Sequence, residues 1–184
     1  MKPLIHGKDA QYVLDTTPDN GRQLIIVGNH PEKYDDAQDA RQICGCSNYD
    51  SMAINSAASE DGIVTRYFNY TATLHSAELG SAEFPLTSIH SASQVIGMAC
   101  GCENERVDMT IAAEPCGGTS ALFAVIAGLV LGYKSIYLCG VRLEPGTIYH
   151  DEHVEENWRL WAPLFNPALI VMGKTWLRDV VYNA

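Results

Sequence analysis

Residues 116–141 read CGGTSALFAVIAGLVLGYKSIYLCGV. Two glycines and two hydroxyl residues open an almost wholly apolar run that closes on Gly140-Val141. Its longest apolar stretch, residues 121–133, is 13 residues long, whereas a bilayer-spanning helix needs about 20. The segment therefore reads as a buried helix over residues 119–131 and a buried strand over residues 135–141. A fully apolar helix leading into a short continuous apolar strand is the pattern of a parallel sheet covered on both faces.

Working outward, the same alternation recurs. Residues 24–28 (LIIVG) form a short apolar run ending in glycine, as a central parallel strand does. Residues 35–44 have helical character, with good helix formers and no proline. Further strands are expected at residues 51–57 (SMAINSA), at 67–75 (YFNYTATLH), rich in aromatic and β-branched types, and at 108–113 (DMTIAA). After the quoted segment come an acid-started helix at 151–165, a strand at 168–173 (ALIVMG) and a helix from residue 174 to the end. Residues 76–107 give the weakest pattern. The expectation is one α/β, Rossmann-like domain over residues 1–184, with a mostly parallel sheet of about six strands and helices on both faces.

The chain has 184 residues, 47% of them hydrophobic, enough for a full core in a domain of ordinary size. Its formal net charge of −10 repels phosphate backbones, so nucleic-acid binding is not expected. One small anion can still be held by backbone N–H groups. Residues 1–10 carry Lys2, Lys8 and Asp9 and no apolar core of a signal peptide. A cytoplasmic, membrane-free protein is expected, and a homo-oligomer is compatible with its small size.

Right-handed crossovers place every strand-to-helix turn at the carboxyl edge of such a sheet, where ligands bind. The first turn is Gly28-Asn29-His30-Pro31-Glu32. Gly28 permits close backbone approach, and Asn29 and His30 can hydrogen-bond a ligand. The dinucleotide fingerprint G-x-G-x-x-G is absent, and a plain tight turn stopped by proline accounts for the same residues. The next strand supplies Asn55, suited to a base or ribose edge, or to bonding the backbone of its own turn. The third ends in Thr73-Leu74-His75, and a lone strand-end histidine such as His75 is more often structural than catalytic. The fourth leads into Gly117-Gly118-Thr119-Ser120 at a helix start, where free N–H groups and the helix dipole suit a phosphate. N-capping by Thr119 or Ser120 is the plainer role and is compatible with it. Gly140 and Arg142 follow the next strand.

Several motifs fail on inspection. Gly173-Lys174-Thr175 sits where a phosphate loop ends, but the glycine required five residues earlier is Ala168. Ser120 is not in a G-x-S-x-G elbow. Six cysteines are present, and CGCSN from Cys44 is echoed by CGCEN from Cys100. Two C-x-C pairs lack the usual C-x-x-C zinc spacing. They read as reduced, small apolar residues ahead of strands, and neither metal nor other cofactor is expected.

The segment GGTSALFAVIAGLVLGYKSIYLCGV resembles the helix and strand of bacterial lipooligosaccharide sialyltransferases and of the related 6-hydroxymethylpterin diphosphokinase-like family. VGNHPE and MAIN are similar to their first turn and second-strand Asn. Together these matches cover about a third of the chain, and the motif order also resembles small phage-encoded relatives. The resemblance implies a nucleotide ligand contacted by Asn29, Asn55, Thr119 and Ser120, with a general base at His150 or His153. This chain departs from the pattern in four respects. His30 and Glu32 replace Gly and Ser, and Arg142 replaces Asp. The acceptor-binding lid is very short, and the diphosphokinases' acidic metal ligands are not evident. Two functions follow as expectations. One is a nucleotide- or nucleotide-sugar-binding enzyme of the glycosyltransferase type, in which a histidine deprotonates an acceptor hydroxyl. The other is a non-catalytic protein on the same scaffold that sequesters a nucleotide or serves as a phage structural or assembly component.

Overall fold

The computed structural model describes residues 4–6, 17–45, 48–59, 68–75, 79–81, 89–98, 104–114, 119–147, 152–165 and 168–183. Its strands are β1 (Leu4–His6), β2 (Gln23–Val27), β3 (Tyr49–Ile54), β4 (Tyr70–Thr73), β5 (Gln94–Met98), β6 (Met109–Glu114), β7 (Ile136–Cys139) and β8 (Leu169–Val171). The helices are α1 (Lys33–Ile43), α2 (Ser120–Val130), α3 (Glu152–Phe165) and α4 (Trp176–Tyr182), with a 3-10 turn at Asn55–Ser59.

The strands form one sheet in the order β1-β6-β5-β4-β3-β2-β7-β8, every pair parallel. This is the expected Rossmann-like architecture, with eight strands among the described residues rather than about six. The two additions, β1 and β5, lie in stretches where no strand was expected. β5 ends at Met98, so the Cys100–Cys102 pair follows one strand as well as preceding another. The expected strand over residues 51–57 stops at Ile54, where the chain turns into the 3-10 segment.

Strand period sorts the core into two layers. Leu24 and Ile26 of β2 face the cluster built on α2, α3 and α4. Ile25 and Val27 face the opposite cluster, with Ala37 and Ala40 of α1 and Ala57 and Ala58 of the 3-10 segment. Helices therefore cover both faces. α2 is apolar all round and buried from Ser120 to Leu129, and it shares one core cluster with the Leu24 and Ile26 face of the sheet and with α3. Gly128 lets it sit close, since a Cβ there would lie 2.7 Å from Leu24 Cδ2. α2 begins beside Asn55 at the carboxyl edge, and just beyond its end the Tyr133 hydroxyl donates to Asp50 at the amino edge. It thus runs antiparallel to the strands. Among the described residues, no helix is long and apolar enough to cross a membrane.

Candidate functional site

The sheet order reverses between β2 and β7: β2 leads on to β3 on one side, and β7 to β8 on the other. The carboxyl ends of such a pair normally open a ligand crevice. Here protein atoms fill it. The Gly28 N–H donates to the Cys139 carbonyl and the His30 N–H to the Gly140 carbonyl. A Cβ on Gly28 would lie 2.6 Å from Gly140 O. Gly140 itself packs against Lys33, and its N–H donates to Asp36 Oδ2 at 2.9 Å. The close approach that Gly28 permits is thus to the neighbouring turn of the same chain.

Arg142 seals this seam. Its side chain is 8% exposed, its guanidinium contacts Glu32 and Asp36, and Nη1 donates to the Met172 carbonyl at 3.2 Å. One cation therefore ties together the turns after β2, β7 and β8. Arg142 also lowers the Glu32 carboxyl below its ordinary pKa, through the hydrogen bond first and its charge second. Gly173 abuts the same guanidinium, and Thr175 caps α4 by accepting from the Arg178 N–H. The Gly173-Lys174-Thr175 sequence is thereby accounted for structurally. Sequence reasoning noted Glu32 only as a departure and missed Asp36 altogether. Their spacing of four, on one face of the first helical turn, was the available signal.

One strand away, the carboxyl edge is less fully satisfied. Asn55 follows β3 with φ +50°, a left-handed conformation that a non-glycine residue adopts at a cost. Its Nδ2 donates to Ser120 Oγ at 3.0 Å, which holds the start of α2 over β3. β6, the strand before α2, lies three positions away in the sheet, about 14 Å at ~4.8 Å per strand. Among the described residues, Asn55 Oδ1 is buried without a hydrogen-bond partner. Asn29 is exposed after β2 and donates to Ser56 Oγ at 2.8 Å. Thr119 caps α2 and also accepts from Trp158 Nε1 at 3.2 Å, which ties α3 to the same corner. Leu143 (φ +51°) is the other described non-glycine residue with positive φ. Both strained residues sit in turns at the carboxyl edge, the usual place for strain at a working site.

The histidines divide. His30 is half-buried, and its Nδ1 accepts from the Glu32 N–H at 3.2 Å, so it organises the first turn. His75 is exposed after β4, with its N–H donating to Thr73 Oγ1. His153 is exposed in the first turn of α3. His150, Gly117 and Gly118 lie outside the described residues, as do Cys46, Cys100 and Cys102. Cys44 is buried at the end of α1. Burial also raises the Cys139 thiol well above its ordinary pKa.

Fold and edge together define a doubly wound, all-parallel α/β protein of the Rossmann-like type, with a sealed switch point and a polar corner over β3. No family model, curated protein or solved structure matches the chain.

Proposed function

We propose that this chain binds a nucleotide or nucleotide sugar at the corner formed by Asn55, Ser120 and Thr119, and that it acts as a transferase of the glycosyltransferase type. The observation that carries this reading is Asn55. Its carbonyl oxygen is buried without a partner among the described residues, a cost that a purely structural asparagine would shed, whereas its left-handed backbone, φ +50°, is one that asparagine adopts more readily than most residues. A ligand N–H or O–H, such as a ribose hydroxyl or a base amine, would satisfy that oxygen. A phosphate would take the N–H groups at the start of α2, and a histidine (His75, His150 or His153) would serve as the base. The alternative is a binding protein without turnover. The seam sealed by Arg142 favours it, because it withdraws the crevice in which a second substrate would meet the first.

Calorimetry with a panel of nucleotides and nucleotide sugars tests the reading, with Asn55→Gly as the variant. Glycine accepts the left-handed backbone freely, so relief of strain offsets the lost Ser120 hydrogen bond and the melting temperature stays close to wild type. Affinity should fall about tenfold or more. Unchanged affinity in the variant, or no wild-type binding to any member of the panel, rejects the site. Transfer or hydrolysis of the bound nucleotide sugar then separates the enzyme from the binding protein.

A further inference from the structure

The exposed turn before β2 reads Asp19-Asn20-Gly21-Arg22, and it is docked on the turn that follows α2. The Asn20 N–H donates to the Gly132 carbonyl at 3.1 Å, and Asn20 Nδ2 donates to the Leu131 carbonyl at 3.1 Å. The other end of the same side-chain amide is held too, because Oδ1 accepts from the Arg22 N–H at 2.9 Å. With an N–H on its oxygen and a carbonyl on its nitrogen, this amide has one orientation. Between its two anchors, the Gly21 N–H donates to Asp19 Oδ1 at 2.8 Å. Three parts of an acyl transfer are therefore side by side. A carboxylate base sits on a backbone nitrogen, an acyl carbon (Asn20 Cγ) can close a five-membered ring with that nitrogen, and an N–H donor sits on the acyl oxygen. Residue 21 is a glycine at φ +73°, and nothing described lies within 4 Å of where a Cβ would stand, so no side chain shields the nitrogen.

We propose that this turn is a self-modifying site at which Asn20 loses its side-chain amide. Asp19 takes the Gly21 N–H proton, the Gly21 nitrogen bonds to Asn20 Cγ, and the Arg22 N–H stabilises the negative charge that gathers on Oδ1. The Cγ–Nδ2 bond then breaks, the proton passes from Asp19 to the departing nitrogen, and ammonia leaves behind a cyclic imide. Water, which reaches this exposed turn, adds to either imide carbonyl and opens the ring to aspartate or isoaspartate at position 20. Water is the one co-reactant, and Asp19 is regenerated. Either product lacks the Nδ2 donor to the Leu131 carbonyl and carries a new negative charge beside Asp19. Conversion thus frees the turn from the end of α2, once and irreversibly, at the amino edge of the sheet and away from the corner at Asn55.

Peptide mapping by mass spectrometry over a time course at neutral pH tests this on the whole chain, with Asp19→Ser as the variant. The folded chain should convert position 20 about tenfold faster than the same chain unfolded in guanidinium, where base and oxyanion donor no longer hold the reacting groups. Asp19→Ser, confirmed folded by circular dichroism, should lose about tenfold of the folded rate. A folded rate equal to or below the unfolded one overturns the proposal, because the turn would then protect the amide rather than activate it. An unchanged rate in the folded variant overturns it equally. The comparison of folded with unfolded wild type needs no variant and decides alone if Asp19→Ser does not fold.

Discussion

Replacing Arg142 with methionine deletes a buried guanidinium while keeping most of its apolar volume. Asp36 is left with its side chain 8% exposed, still accepting from the Gly140 N–H but without a counter-charge. Breaking one side of a buried pair costs about 3–5 kcal/mol. The Glu32 contact adds little, because that carboxylate is 62% exposed and screened by water. For a chain of this length each kcal/mol lowers the melting temperature by about 2–4 °C, so the expected fall is about 6–20 °C. Thermal melts followed by circular dichroism measure it, and a double-mutant cycle with Asp36→Asn identifies its source. Asparagine keeps an oxygen for the Gly140 N–H and removes the stranded charge, so Arg142→Met/Asp36→Asn should recover much of the loss. A fall of less than about 2 °C, or no recovery in the double variant, would refute the idea that Arg142 exists to neutralise this seam. It would return Arg142 to the set of ligand contacts.

Two further predictions concern pH. Burial, followed by hydrogen bonds with Tyr70 and Asp50, raises the Tyr133 hydroxyl far above its ordinary value of 10.0. The stability that this proton contributes is present below that value and is lost as pH rises beyond it. Tyr133→Phe should flatten the alkaline limb of a stability–pH curve and cost about 1.5–3 kcal/mol at neutral pH, because the hydrogen bond it deletes ends on a carboxylate. Glu32 behaves in the opposite sense: its folded pKa is lowered from 4.5, so its contribution is present above that value and is lost as pH falls below it. Glu32→Gln should flatten the acid limb of the same curve, and an acid limb identical to wild type would show that the Arg142 contact is not maintained in solution.

The parts of the fold legible in the sequence were those whose signal is local. β2, β7 and α2 are dense apolar runs with clear ends, and their burial follows directly from composition. β1 and β5 were not legible for a physical reason. Leu4–His6 is three residues long and becomes a strand only by pairing with β6. Gln94–Met98 carries two strongly strand-forming residues, Val95 and Ile96, beside Gly97, which has no side chain to pack. The site divides in the same way. That Asn55 lies at a strand end could be read from MAIN, but its left-handed backbone and stranded oxygen depend on Ser120, far along the chain. The sealing of the β2–β7 crevice was hidden for the same reason, since Glu32 and Arg142 are 110 positions apart. At Gly28 the group that approaches closely is the Gly140 carbonyl of the next turn.

The place of β2 inside the sheet, between β3 and β7, also bears on how the chain is synthesised. One of its neighbours, β3, follows within a few tens of residues, but the other is β7, with Leu24 in register with Ile136. A nascent chain emerging from the ribosome can pair β2 on one side early. The other side stays an open apolar edge until β7, whose Ile136 pairs with Leu24, has been made. Long-range parallel pairing of this kind is slow to form. This interior strand therefore waits for a partner from far along the chain, and chaperone engagement during translation should track the arrival of residues 136–139 rather than the overall length of the chain.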